Sequence, residues 1–529
     1  MTWYNNAIFY ELYLRAFADG DGDGHGDFVG LRQRLDYLQW LGVDCIWLLP
    51  IYPSPLKDDG YDIASYYGIN ATFGVLEDFR MAVDEIHRRG MRVIADLVIN
   101  HTSDQHPWFK EARRSKDSPW RDYYTWSKTG QEYKDARIIF LDTEESNWAY
   151  DEGSGEYYWH RFYSSQPDLN YENPVVQQKI LDIMKFWLEL GVDGFRVDAV
   201  PYLYAREGTN CENLPETHDY LKKMRRFVDD HYPGTVLLAE ANQWPRDLLP
   251  YFGDGDQFQL SFHFPVMPRL YMALAKQDRS SVVEIMADTP TIPEGCQWAT
   301  FLRNHDELTL EMVTEEERAF MWDFYSPDPE QRINMGIRRR LAPLMNNDRR
   351  KIELMNSLLF SMPGAPTLYY GDEIGMGDNI ALFDRNGVRT PMQWSSDPNG
   401  GFSVAPEEAL YAPVINDPVY GYEKVNVAAQ RDDETSLLAA IRRMVHARKA
   451  LPVLADGGLL WMDDLPKQAL CFQRKSDAGT VVALHNLSDQ PLEIPLPDSI
   501  VYRDALDNSQ TAQGTLTLAA YGYKWLMIE

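Results

Sequence analysis

Two hydrophobic periods alternate along most of the chain. Short, nearly continuous apolar runs at residues 7–14, 45–50, 92–98, 194–198, 235–240, 261–265, 299–306 and 365–370 alternate with longer stretches, of which 175–190 and 435–449 carry the three-to-four-residue spacing of amphipathic helices. A strand buried on both faces reads as an unbroken run, and strands separated by helices pair in parallel through crossovers. Eight such runs predict an α/β fold, a (β/α)8 TIM barrel.

The rhythm breaks three times. Residues 102–170 are rich in Trp, Tyr and Asp, with a short β-like piece at 136–141, and are too long for an ordinary loop between a strand and its helix. They predict an inserted domain after strand three. Residues 307–350 form a charged, helical stretch that predicts a small subdomain after strand seven. Beyond about residue 454, short alternating strands such as 480–484 with polar turns predict a C-terminal antiparallel β domain. The expected partition is barrel at 1–101, 171–306 and 351–454, insertion at 102–170, helical subdomain at 307–350 and β domain at 455–529.

Several strands end in an acid. Asp198 closes Gly194-Phe195-Arg196-Val197-Asp198, Glu240 closes Thr235-Val236-Leu237-Leu238-Ala239-Glu240, and Asp306 follows Leu302-Arg303-Asn304-His305. A single acid in that place is usually a turn former or a helix cap. Three on one barrel would converge on the C-terminal rim, where barrel enzymes build their sites. Arg196 strengthens the reading, because an arginine buried on a strand is costly unless a carboxylate or a ligand hydroxyl answers it.

Composition narrows the partners. The 529 residues carry 51 Lys and Arg against 80 Asp and Glu, a formal net charge of -29. Such a surface repels nucleic acid and anionic membrane, is indifferent to a neutral sugar, and leaves a homo-oligomer open. The 15 Trp and 31 Tyr exceed what packing alone requires and suit stacking on pyranose faces. Cys45, Cys211, Cys296 and Cys471 lack any metal or redox spacing. That pattern, with no leader-like N-terminus or membrane-length apolar segment, points to reduced thiols in a cytoplasmic protein. No Rossmann or P-loop pattern is in place, so no organic cofactor is expected.

Residues 19–27, Asp-Gly-Asp-Gly-Asp-Gly-His-Gly-Asp, alternate acids with glycines. Oxygen ligands at every second position, with glycines allowing tight turns, form a cage for a hard cation, Ca²⁺ in preference to Mg²⁺.

These stretches, with Asp96-Leu97-Val98-Ile99-Asn100-His101, Gly60-Tyr61-Asp62 and Gln166-Pro167-Asp168-Leu169-Asn170, resemble the α-amylase family of retaining glycoside hydrolases and transglycosylases over almost the whole chain. The resemblance implies Asp198 as nucleophile, Glu240 as acid/base and Asp306 as transition-state stabiliser. Tyr61, Asp62, His101, Gln166, Arg196, His305 and Arg389 would contact or orient sugar. Structural Ca²⁺ would be held by Asp19, Asp21, Asp23, the His25 carbonyl and Asp27, and at a second site by Asn100, Asp168 and the carbonyls of Tyr202 and Leu203. Relatives commonly place a glutamate ligand where this chain has Ala205, which weakens the second site. Segments 201–218, 241–245 and 307–312 resemble the branch of the family that converts maltose to trehalose by intramolecular glucosyl transfer, with minor hydrolysis. The alternatives are an α-glucosidase or amylase-type hydrolase, which would use every one of the same catalytic residues, and a non-catalytic homologue, which would be expected to have lost one of the acids.

Overall fold

At Gly194 a side chain is excluded: a Cβ there would stand 2.1 Å from the Val236 carbonyl oxygen, so glycine lets the neighbouring strand close in. Around that contact, in the computed structural model, eight strands form a closed barrel. They are Phe9–Leu12, Cys45–Leu48, Arg92–Val98, Gly194–Asp198, Val236–Ala239, Leu260–Phe262, Gln297–Phe301 and Ala365–Tyr369. Each pairs in parallel with the next, and the eighth pairs with the first. Residues 2–507, 510–511 and 514–528 are described, so the outermost expected boundaries, at 1 and 529, lie outside them.

Helices return the chain between strands, and their starts are fixed by local chemistry. Asp27 caps Phe28–Leu41 by accepting from the Gly30 amide at 2.6 Å, Asn173 caps Pro174–Glu189, and Ser436 caps Leu437–Ala450. No described helix is long and apolar enough to cross a membrane.

Two runs read as longer strands than they are. Strand one stops at Leu12, and Leu14–Phe17 coils into one helical turn whose apolar side chains are buried. Strand seven stops at Phe301; residues 302–305 are buried in a loop that carries Asp306 across the rim. In both places burial continues past the point where strand pairing stops.

The insertion carries a three-stranded antiparallel sheet of Trp126–Ser127, Glu156–Trp159 and Trp148–Asp151. The β-like piece at 136–141 is not a strand. Its Ile139 and Phe140 are buried against Ala199 and Tyr202, on a wall of the rim cavity. The segment after strand seven is mixed rather than purely helical: helix Glu315–Tyr325 accompanies a small sheet of Leu308–Thr309, Gly336–Ile337 and Arg332–Ile333. The C-terminal region forms a six-stranded antiparallel sheet and a separate two-stranded pair, Leu492–Pro495 with Thr515–Leu518. Phe472, Val481 and Trp525 continue the barrel core, and the Trp525 indole donates to Ser357 Oγ at 2.9 Å.

Candidate active site

Arg196 is the hub of the rim cavity. It is buried on the fourth strand, and its guanidinium meets three carboxylates: Asp96 at 2.8 Å, Asp198 at 2.6 Å and Glu240. Asp96, on the adjacent third strand, also accepts from Trp47 Nε1 at 3.1 Å and the Tyr61 hydroxyl at 3.0 Å. A buried cation of this kind is tolerable because both terminal nitrogens meet carboxylates, Asp96 and Asp198 on one and Glu240 on the other.

Immediately after Asp198 the chain enters a left-handed turn at Ala199, φ 51°, which is uncommon for a residue with a Cβ. There the Ala199 amide donates to Glu240 Oε2 at 3.1 Å. Asp198 and Glu240 stand side by side on the one guanidinium of Arg196. Carboxyl groups that close belong to the short-separation geometry of retaining glycosidases, about 5–5.5 Å, which leaves no space for a water between acid and nucleophile.

The pair is electrostatically split. Burial pushes Glu240 up to about 8, with Arg196 opposing and Asp198 adding to the rise. Asp198, also raised by burial but opposed by Arg196, reaches only about 6. Two neighbouring carboxyls with separated titrations are the pattern of an acid beside a nucleophile.

Asp306 completes the trio from the loop after strand seven. Burial would raise it, but His305 and the guanidiniums of Arg385 and Arg389, at 2.8 and 3.1 Å, hold it well below the usual carboxylate range. Burial holds His305 itself well below its ordinary range, so the two arginines carry the part of the effect that persists at neutral pH. Asp306 is thus a fixed negative charge facing the cavity.

The cavity wall brings together Tyr61, His101, Asp198, Glu240, His305 and Asp306. Tyr61 lies parallel to the His305 ring, centroids 5.2 Å apart. Other expected sugar contacts stand one layer back. Asp62 is fully buried, and its oxygens are taken by Ser54 Oγ and the amides of Lys57 and Asp58, so it shapes a turn instead of facing the cavity. Gln166 donates to Asp58 Oδ2 at 2.9 Å and supports the wall from behind. Arg389 holds Asp306, Asp59 and the His305 carbonyl.

Residue-by-residue reading missed Asp58 and Arg385. Arg385 spans the cavity end, 2.9 Å from Asp58 and 2.8 Å from Asp306. The available signals were the second acid in Asp58-Asp59 before the Gly60-Tyr61 motif and a second arginine four residues before Arg389. Arg137 of the insertion reaches Glu311 at 2.9 Å, Glu212 at 2.8 Å and the Tyr202 hydroxyl at 3.1 Å. Glu311 and Tyr202 line the cavity, so this network is part of its wall.

Two clusters are candidates for a hard cation. Carboxylate oxygens of Asp19, Asp21 and Asp27 lie within 4.8 Å of one another. Asp23 is turned aside to accept from the His25 amide at 2.8 Å, and the His25 ring faces Arg15. Elsewhere, Asn100 Oδ1 and Asp168 Oδ2 are buried without a hydrogen-bond partner, and burial pushes Asp168 up to about 8. Asp168 lines a groove with Tyr202, Leu203 and Ala205. Orphaned all-oxygen donors of this kind fit Ca²⁺.

The alpha amylase catalytic-domain model matches residues 11–323 and 337–457. The chain belongs to the α-amylase family. Within the family it is 54% identical over 543 residues to the trehalose synthase/amylase TreS of Mycobacterium tuberculosis, covering 100% of this chain and 90% of that one. It is 52% identical to the trehalose synthase of Pimelobacter sp., covering 99% and 96%, and 31% identical to the oligo-1,6-glucosidase of Parageobacillus thermoglucosidasius, covering 95% and 93%. Family membership extends to three dimensions: the crystal structure of the trehalulose synthase MutB from Pseudomonas mesoacidophila MX-45 superposes with a TM-score of 0.81 at 28% identity over 100% of both chains. Residues 479–527 match the C-terminal domain of sucrose hydrolase-like members.

Proposed function

We propose that the protein isomerises maltose to trehalose by intramolecular glucosyl transfer with net retention, and releases a minor share of glucose by hydrolysis. The carrying observation is the rim cavity, in which Arg196 joins Asp198 to Glu240 while Arg137 ties the insertion to Glu311 in the cavity wall. The first feature supplies double displacement. The second supplies confinement.

Asp198 attacks the anomeric carbon of the non-reducing glucose as Glu240 gives its proton to the glycosidic oxygen, and the bond between them breaks. Asp306, held ionised by Arg385 and Arg389, faces the oxocarbenium-like transition state and stabilises its positive charge. The released glucose turns within the cavity. Its anomeric hydroxyl then attacks the glucosyl-enzyme, returning a proton to Glu240 and freeing Asp198. Water attacking in its place gives two glucoses.

The relatives named trehalose synthase agree with this reading, and the trehalulose synthase MutB, variants of which were crystallised with isomaltulose, glucose and sucrose, has the same fold. The Asp19, Asp21 and Asp27 cluster and the Asn100 and Asp168 pair, with the carbonyls of Tyr202 and Leu203, would each hold a structural Ca²⁺ and take no part in the chemistry. No organic cofactor enters this scheme. Incubation of maltose with labelled free glucose tests the proposal: trehalose should form with little label, whereas extensive labelling, or glucose as the main product, would refute it.

A further inference from the structure

We propose that Glu11, on the first barrel strand, is a positioning residue that locks His305 as a donor through Nε2 toward Asp306 and the bound sugar. The inference deepens the proposed glucosyl transfer and rests on it.

Glu11 is fully buried beneath the cavity. Its Oε1 accepts the backbone amide of His305 at 3.0 Å and lies 2.6 Å from His305 Nδ1, while Oε2 is buried with no partner. On the other side of the ring, His305 Nε2 stands 3.2 Å from Asp306 Oδ2. Tyr61 lies parallel to the imidazole and Trp47 meets it edge-on at 5.9 Å, so the ring is held from two directions. Glu11, His305 and Asp306 form a line running from barrel interior to cavity.

Counting protons decides what that line does. An ionised Glu11 facing a neutral ring protonated at Nδ1 would leave a bare Nε2 lone pair opposite the Asp306 carboxylate, a repulsive contact. Two arrangements remain: imidazolium beside ionised Glu11, or neutral imidazole with its hydrogen on Nε2 and the proton on Glu11 Oε1 donated to Nδ1. Both put N–H on Nε2. The second also avoids leaving a carboxylate charge on the unpartnered Oε2, and burial drives both groups toward neutrality, Glu11 upward and His305 downward. Glu11 therefore sets the tautomer, and through it the orientation of the carboxylate that stabilises the transition state.

Glu11→Gln tests this with little change in size. The backbone amide of His305 selects the Gln carbonyl at the Oε1 position, and that carbonyl can only accept from Nδ1–H, which leaves Nε2 bare. Maltose consumption, summed over both products so that the partition does not matter, should fall about 10–100-fold in kcat, with KM within about threefold. Histidine ¹⁵N NMR, with the signal assigned by its loss in His305→Gln, should show N–H at Nε2 in the parent and at Nδ1 in the variant. Wild-type-like kcat in a folded Glu11→Gln protein would overturn the proposal. So would a bare Nε2 in the parent, which can be read even if the variant fails to fold. Neither readout depends on whether trehalose or glucose is the product.

Discussion

At the residue scale, the separation between Asp198 and Glu240 turns into a pH profile. The nucleophile must be ionised and the acid protonated. With burial setting the pair near about 6 and about 8, activity rises as pH passes the first and falls as it passes the second. A bell in kcat/KM with limbs near those values is expected; they belong to the coupled pair and not to either residue alone. A profile flat from pH 5 to 9 would contradict the split. Asp198→Asn removes the attacking oxygen and should lower kcat by at least about 10⁴-fold. Arg196 keeps Asp96 and Glu240 as partners in that variant. Burying a carboxylate is costly, so the melting temperature should stay within about 2 °C of the parent or rise. Measured together, kcat and Tm separate a catalytic loss from a folding defect.

At the element scale, the insertion and the segment after strand seven are joined by Arg137 at the cavity wall and, away from it, by the Asn334 amide donating to Asp142 Oδ2 at 2.7 Å. Arg137 carries three contacts to Glu311, Glu212 and Tyr202, while Arg161 makes a separate ion pair with Glu212 at 3.2 Å. Arg137→Ala should therefore loosen the wall without unfolding the insertion. The expected result is a rise of about threefold or more in the share of glucose from maltose, with labelled glucose now entering trehalose. An unchanged product ratio would detach this network from confinement. That the insertion and the segment after Asp306 border the pocket follows from the family resemblance, but the Arg137 contacts were not legible in the sequence. The barrel strands and their terminal acids were, because burial on both faces imposes continuous hydrophobicity on each strand locally. Residues 136–141 met the same local criterion and are wall, not strand, since an apolar run records burial without recording what buries it. Asp62 looked functional because it sits beside Tyr61, yet a one-residue step at a turn reverses which way a side chain faces, and the backbone amides of 57 and 58 claim its oxygens. Asp58 and Arg385 meet across more than three hundred residues, a distance no local pattern spans.

At the scale of the whole molecule, the proposed cations sit where separate parts of the chain meet. Asp19 accepts from Ser403 Oγ at 2.5 Å and donates its amide to the Phe402 carbonyl, joining the first loop to the long rim loop. Asp168 ends the insertion and pairs through its backbone with His101, at the exit of strand three. Chelation should therefore lower the melting temperature of the whole protein by a few degrees, and the size of the drop should depend on pH in a direction fixed by Asp168. Burial lifts that carboxyl from an ordinary 3.8 to about 8 in the metal-free fold. Between those values the unfolded chain has released the proton and the folded chain keeps it, so metal-free stability falls as pH rises. Ca²⁺ requires the ionised form, and its binding strengthens over the same interval. The difference in Tm with and without Ca²⁺ should accordingly widen from pH 5 to pH 8. In Asp168→Asn the side chain no longer titrates, so the widening should disappear even if some calcium dependence persists through Asp19, Asp21 and Asp27. Thermal melts at three pH values, with Ca²⁺ and with chelator, measure it; a Tm difference constant across that range in the parent protein would remove Asp168 from the ligand set.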